Sequence, residues 1–596
     1  MDNSKHESSH NRTVADVILD YFYTLGITTL FVVPGAQIDF LLSQAAKSNR
    51  FQIVVAAHEQ GAGYMADGFS RISGKPGVVI AINGPGATNL TTAAVTARVD
   101  HSPVLFLTGD APIVNQGYGG FQCSDQEESN SNAILCDALK RSITITSPET
   151  LSDAMQSMES LFIASSPEPL HINLPCDVAQ QYFNNETKQR CVRFDDHVKG
   201  LTSPDWLSQI PSALGSKAAI LVGEQVRELA EMKAIAEFSQ NYSIPLASTL
   251  AAKQIQSLIP DELYLGVFGY AGGPRAFEVI LDSDLEVFII FGASLDERNT
   301  TAWHPDFFHN NRKILRFTND AERNRNYLEH VLEIVERPSV VIQWLENYWD
   351  RKVEKHRLEF ENRIAWNECI QAIPRIPKID WKNPSDMQIG MSMAVVVSKL
   401  NELLPADTIL FLDSGDHRIY GGTFWETKVW GSFFTAAKTA PMGWAIGAAV
   451  GASFAKEDKP LWVITGDGCM LMHGMELAVA AKHNRRVVFV VSNNGAYGRI
   501  AARMKNESDK IRYTLSSLPA VSWSDLAQSL GVDSRKVTVT KELTAAIAEA
   551  QAGTGPFLIE VLTRIEEKCP YPPAVFSSSS TCFLEYWSKH KLNKSI

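Results

Sequence analysis

Two strand-end clusters carry residues whose types and spacing can do chemistry. Gly466-Asp467-Gly468 follows directly on the apolar run 461–465, and Asn493-Asn494 follows the apolar run 487–491. A carboxylate and an amide oxygen are hard ligands of the kind that hold Mg²⁺. Asn494 lies 27 residues beyond Asp467, room enough for the helix of a βαβ unit between them. Glycines on both sides of Asp467 let a diphosphate approach the backbone, and a helix starting there offers N–H groups and a positive dipole end. Alone, Gly-Asp-Gly is a common turn; a double Asn after the next strand makes the signal specific. A second cluster, His58-Glu59-Gln60, sits between the apolar run 53–57 and the small-residue stretch 61–68. A carboxylate held dry at a strand end has a raised pKa. On its own, Glu59 reads equally as a helix-starting acid favoured by the dipole.

The elements that must position these residues are short apolar runs alternating with longer amphipathic segments. The runs 29–33, 53–57, 78–82 and 104–108 form one group, 218–222, 244–247, 287–291 and 313–317 a second, and 408–412, 461–465, 487–491 and 557–561 a third. Continuous apolar runs suit parallel strands covered on both faces. The expected fold class is therefore α/β, with three doubly wound parallel-sheet domains at 12–185, 200–345 and 386–570 and an irregular tail at 571–596. Polar stretches at 181–204 and 350–386 read as linkers. With 596 residues, the chain is long enough for about three or four domains. Its 55 Lys and Arg against 67 Asp and Glu give a net charge of −12, which disfavours nucleic acid and anionic membranes as partners. The run 440–455, rich in Gly and Ala, is short for a bilayer span and reads as a tightly packed helix. The eight cysteines show no C-x-x-C pairing, and the first ten residues are polar, so reduced thiols and a cytoplasmic location are expected.

From about residue 12 to 565 the chain resembles the thiamine diphosphate-dependent enzymes, and within them the acetolactate synthase-like subgroup. The resemblance rests on Gly466-Asp467-Gly468 with Asn493-Asn494, on His58-Glu59-Gln60, on residues 84–89 and on residues 440–447 around Met442. It implies Mg²⁺ ligation by Asp467, Asn494 and the Ala496 carbonyl. It implies thiamine diphosphate contacts from Gly415, His417, Gly466, Gly468, Cys469, Tyr497 and Gly498. Glu59 takes the role of the acid that hydrogen-bonds the aminopyrimidine ring and promotes its imino tautomer. Met442 takes the role of the apolar wedge that folds the cofactor into a V, a proximity effect. Gly35 matches a glycine loop near the reacting centre, and Phe121 and Gln122 match residues lining the substrate side, where the Gln amide can hold a carbonyl or carboxylate oxygen.

The pattern also departs from the family. The adjacent His-His pair of simple pyruvate decarboxylases does not occur, so addition to a second carbonyl is favoured over protonation to an aldehyde. Arg503, with Arg499 nearby, stands where branched-chain acetolactate synthases carry Trp, which suggests a more polar acceptor. Asp416 replaces Gln in the Gly415-Asp416-His417 loop and would face phosphate oxygens unless protonated or turned away. His101 reads as a satisfied structural residue. The middle domain resembles a flavin-binding domain through residues 292–298, yet Glu224 stands in the glycine turn after its first strand and the acidic pair expected near 317–319 is missing, which leaves FAD open. The expectation is a carboligase that decarboxylates a 2-oxo acid, pyruvate first, and joins the acyl unit to an acceptor carbonyl, acting as a homodimer or homotetramer. A flavin-linked oxidase, a decarboxylase or hydrolase of the same family, and a catalytically silent scaffold are the alternatives. Retention of Glu59, Asp467 and Asn494 argues against the last.

Overall fold

The computed structural model describes residues 12–163, 168–183, 209–210, 214–309, 311–318, 331–350, 357–378, 390–504 and 507–565. The expected tail at 571–596 lies outside these, as do most of the stretch 181–204 and Asn319. Among the described residues are three six-stranded sheets, each wholly parallel. The first holds β1 (Thr29–Val32), β2 (Gln52–Val55), β3 (Gly77–Ala81), β4 (Val104–Asp110), β5 (Ser142–Thr144) and β6 (Leu170–Pro175), in the order β2-β1-β3-β4-β6-β5. The second holds β7 (Ala218–Val222), β8 (Leu246–Ser248), β9 (Tyr264–Val267), β10 (Val287–Phe291), β11 (Lys313–Thr318) and β12 (Val331–Val335), in the order β12-β11-β10-β7-β8-β9. The third holds β13 (Ile409–Leu412), β14 (Phe433–Phe434), β15 (Leu461–Gly466), β16 (Val487–Asn493), β17 (Asp533–Val537) and β18 (Phe557–Leu562), in the order β14-β13-β15-β16-β18-β17. The expected α/β class with three doubly wound domains is what the chain adopts.

In every sheet the chain lays strands on one side of the opening strand and then crosses to the other. The strand ends beside that reversal form a crevice where open α/β sheets bind ligands. The crevices fall between β1 and β3, between β7 and β10, and between β13 and β15. The helices Glu59–Ser73 and Trp444–Ala452 cross in close contact and join the first and third domains. A Cβ at Gly68 would lie 1.9 Å from the Ala448 carbonyl oxygen, and one at Gly451 would lie 1.9 Å from that of Met65. Absent side chains thus set this crossing, and the middle of the run 440–455, Trp444–Ala452, is the buried helix expected there. Trp444 Nε1 donates to Asp67 across the same contact at 2.7 Å.

The stretch 350–386 departs from its reading as a linker. It contains the helix Arg357–Gln371, which packs on the middle domain. Its Arg363 is buried and donates to the carbonyls of Tyr242 (2.8 Å) and Gly215 (2.5 Å), and Asn367 donates to that of Ser243. A low apolar content hid the helix because guanidinium and amide groups share its docking with Ile370 and Trp366.

Candidate active site

The first crevice gathers the first-domain residues. Glu59 opens its helix at the end of β2, with His58 as the N-cap accepting the Gln60 N–H through Nδ1. The Glu59 carboxylate accepts a hydrogen bond from Asn89 Nδ2 at 3.0 Å, and it lies beside Gly86 on the turn after β3. Gly35 follows β1 and abuts Ile82, where a Cβ would come within 2.5 Å of the Ile82 side chain. Gln122 lies over Gly84 with a positive φ of 54°. Gln37 ties these pieces together, accepting from the Asn83 N–H (2.9 Å) and donating to the Gln122 carbonyl (3.0 Å). The structure therefore brings Gly35, Glu59 and Gln122 to one crevice. Phe121, next to them, is 85% exposed in a single chain.

The crevice between β13 and β15 gathers the rest. Asp467 begins a helix at the end of β15, its carboxylate accepting the N–H groups of Gly468 (2.8 Å), Asn494 (3.0 Å) and Gly495 (2.7 Å). Burial raises its pKa to about 6 against those hydrogen bonds. Asn494 Oδ1 accepts the Ala496 N–H at 3.0 Å, closing the turn after β16. Gly415 and Gly466 both face the His417 ring, and Gly468 faces Met442 Cε and the Tyr497 ring. Burial lowers the His417 pKa to about 3, so it is neutral near pH 7, and its Nε2 is buried without a partner. Cys469 is buried and donates through Sγ to the Ser414 carbonyl. Asp416 stays at the crevice, its carboxylate lying against Gly498 with Arg499 Nε 3.7 Å away. Arg503 is exposed at the end of the helix Gly498–Arg503. His101 is buried beside Glu168, in keeping with a structural role.

Sequence reasoning missed three positioning residues. Asp413, buried at the end of β13, accepts from Ser414, from the Gly443 N–H beside Met442 and from Thr465. Gln37 is the second. The third is Glu476, which reaches across from the third domain and accepts the N–H groups of Ala57 (3.0 Å) and His58 (3.1 Å), so it seats the turn carrying Glu59. A Cβ at Gly61 would lie 1.9 Å from its carboxylate, which is why that position is bare. Burial raises the Glu476 pKa to about 7. No local motif marks it, because its partners are more than 400 residues away in sequence.

Three family models match this chain in order: the thiamine pyrophosphate enzyme N-terminal TPP-binding domain over residues 12–129, the central domain over 213–345 and the C-terminal TPP-binding domain over 413–561. The chain belongs to the thiamine pyrophosphate enzyme family. Within that family it is similar to the acetolactate synthase large subunit of Corynebacterium glutamicum, 25% identical over 96% of this chain and 90% of the relative. It is likewise similar to acetolactate synthase isozyme 1 large subunit of Escherichia coli, 25% identical over 94% and 95%. Acetolactate synthase 1, chloroplastic, of Nicotiana tabacum is 26% identical over 95% and 84%.

For a thiamine pyrophosphate enzyme the third-domain crevice fits its cofactor. The orphaned His417 Nε2 is a buried polar atom in need of a partner, and Gly466, Gly468 and Gly498 let the His417 ring, Met442 with Tyr497, and Asp416 pack directly against the backbone around it. Asp467 retains carboxylate lone pairs for a divalent cation, whose charge would oppose the effect of burial on its pKa. Among the described residues no cluster of three His, Cys, Asp or Glu side chains offers a different metal site, and no helix is long and apolar enough to cross a membrane.

Proposed function

We propose that this thiamine diphosphate enzyme is a carboligase: it decarboxylates a 2-oxo acid, pyruvate first, and joins the acyl unit to an acceptor carbonyl. Asp467, Asn494 and the Ala496 carbonyl would hold Mg²⁺, and Gly415, His417, Gly466, Gly468, Cys469, Tyr497 and Gly498 would contact thiamine diphosphate. Bound thiamine diphosphate supplies the nucleophilic carbon and the electron sink that decarboxylation needs. Glu59, oriented by Asn89, holds and moves the proton that activates it. Met442, backed by Gly468 and by the Asp413-bound Gly443 turn, would give the bound cofactor an apolar support. Gln122 presents its amide to the acceptor oxygen, and Gly35 lets the loop after β1 close on the Ile82 side chain beside it. The observation that carries the reading is the gathering of Gly35, Glu59 and Gln122 at one crevice, in a chain with no His-His proton donor.

Completion of the site by a second copy belongs to the same reading. Within one chain Glu59 bonds Asn89 of its own domain, while Asp467 bonds the backbone of the third. Exposed apolar side chains flank both halves: Val114, Tyr118 and Phe121 near Gln122, and Leu471, Met472 and Met475 near Asp467. An isologous homodimer would cover both patches and exclude water from two sites at once.

Incubating the protein with thiamine diphosphate, Mg²⁺ and pyruvate, with and without a panel of acceptor carbonyls, and analysing products by mass spectrometry tests the reading. A 2-hydroxy ketone product is expected. Acetaldehyde or acetate as the product, with no carbon–carbon bond formed under any condition, overturns it.

A further inference from the structure

The middle domain has its own crevice at the strand reversal, between the ends of β7 and β10, where an open α/β sheet takes a dinucleotide. A flavin is what the family resemblance would place there, and the residues present do not fit one. Glu224, on the turn after β7, is 7% exposed and points its carboxylate into the crevice. It accepts the Ser294 N–H from the turn after β10 (3.2 Å) and the side-chain amide of Asn299 (3.1 Å), donors that a diphosphate would need. From the third domain, Lys438 enters with its Nζ 2.5 Å from Glu224 and 2.7 Å from Asp296, and it also donates to the Ser294 hydroxyl. Gly223 runs so close to β10 that a Cβ there would lie 2.1 Å from Ala293 Cα. The void that remains, lined by Tyr270, Arg298, Arg418 and the ion pair, is about 220 Å³, below the roughly 300–1,000 Å³ of ordinary ligand pockets.

We infer that this crevice is not a flavin site but an internal fastener, in which the Glu224 carboxylate takes the place of a cofactor phosphate and Lys438 replaces the ligand as the tie between the middle and third domains. Glu224 stays ionised there: burial opposes its charge, but Lys438 holds the carboxyl well below the usual range. An approaching diphosphate would meet that fixed negative charge at close range, with its N–H donors already engaged. The segment bearing Lys438 is pinned from three sides. The Ala437 carbonyl accepts from Arg298 of the middle domain (2.8 Å) and from Arg418 of the third (3.1 Å), and Thr439 bonds Thr96 of the first (3.0 Å). Met442 follows four residues after Lys438, so the fastener also steadies the cofactor wedge.

The inference is independent of which acids and carbonyls the enzyme joins, because its test reads flavin and stability rather than turnover. The full-length protein, produced in riboflavin-replete cells, is denatured and its released flavin measured by absorbance and fluorescence; native protein is then titrated with FAD. Flavin below half an equivalent, with no saturable binding at a Kd of about 0.1 mM or tighter, is expected. Half an equivalent or more, or saturable binding in that range, overturns the inference. For the tie itself, Lys438→Met should lower Tm by about 5 °C or more by leaving Glu224 buried and unpaired. The double variant Glu224→Gln with Lys438→Met should recover at least half of that loss. A Lys438→Met protein as stable as the parent, or a loss the double variant does not relieve, overturns the role of the pair.

Discussion

Glu59 and Glu476 are two carboxylates within a few residues of the same turn, and their surroundings give them opposite duties. Glu59 is half-buried and bonded to an amide that can follow its protonation, whereas Glu476 is buried against two N–H donors that cannot move away. Glu59→Gln keeps the hydrogen-bonding shape but cannot take up a proton; turnover should fall roughly 10²–10⁴-fold with Tm unchanged. Wild-type rates in a steady-state assay of that variant would remove Glu59 from the chemistry. Glu476 makes a stability prediction whose sign follows from its raised pKa. Because the folded state holds the proton up to about pH 7 while the unfolded chain releases it near the ordinary carboxylate value, its contribution is complete at low pH and is lost as pH rises toward 7. Burial sets the size, up to about 3 kcal/mol across that window. Denaturant titrations of the wild type and Glu476→Gln from pH 4.5 to 7.5 should diverge in that direction, the variant showing the shallower slope. Much of the candidate site is legible at this scale because Asp467, Asn494 and Glu59 each sit at the end of an apolar run. Gln37 and Glu476 were not legible, since each acts on backbone groups brought near only by the fold; Asp413 also ends an apolar run, but its tie to the Gly443 N–H beside Met442 is seen only in the fold.

At the scale of elements, the twelve apolar runs picked out from the sequence all became strands, with ends moved by a residue or two. The six strands not anticipated include both edges of the second and third sheets and one edge of the first. Some edges are too short or too polar to stand out: β14 is two residues long, and β17 reads Asp-Ser-Arg-Lys-Val. The crossing of Glu59–Ser73 with Trp444–Ala452 shows the opposite case, where burial is complete and the information lies in missing atoms. Two effects compete in Gly451→Ala. Alanine raises helix propensity by about 1 kcal/mol, but its methyl would overlap the Met65 carbonyl, a backbone atom that cannot swing aside. Overpacking of this kind costs about 3 kcal/mol or more, so the substitution should destabilise. Chemical denaturation of Gly451→Ala and Gly68→Ala checks it, with greater stability in either variant counting against the crossing as drawn.

For the whole molecule, the proposed pairing of two copies over the exposed apolar side chains predicts that catalysis depends on association. Met472→Asp, which places a charge in the patch beside Asp467 without touching a proposed ligand, should shift the mass measured by analytical ultracentrifugation toward the single chain and lower specific activity in proportion. Loss of activity with an unchanged dimer would point to a local effect, and an unchanged mass with full activity would remove this face from the interface. The clamp that Glu476 places on the Glu59 turn has a consequence for recombination. The first domain borrows a carboxylate from the third to seat the turn carrying Glu59, and its Gly68 is fitted to the partner helix. A chimera taking only the first domain from a relative would inherit a turn fitted to a different clamp. Grafts exchanging residues 12–183 together with the segment from Trp444 to Glu476 should therefore preserve function where a graft of the first domain alone does not, so the unit of inheritance is a pair of distant segments rather than a contiguous domain.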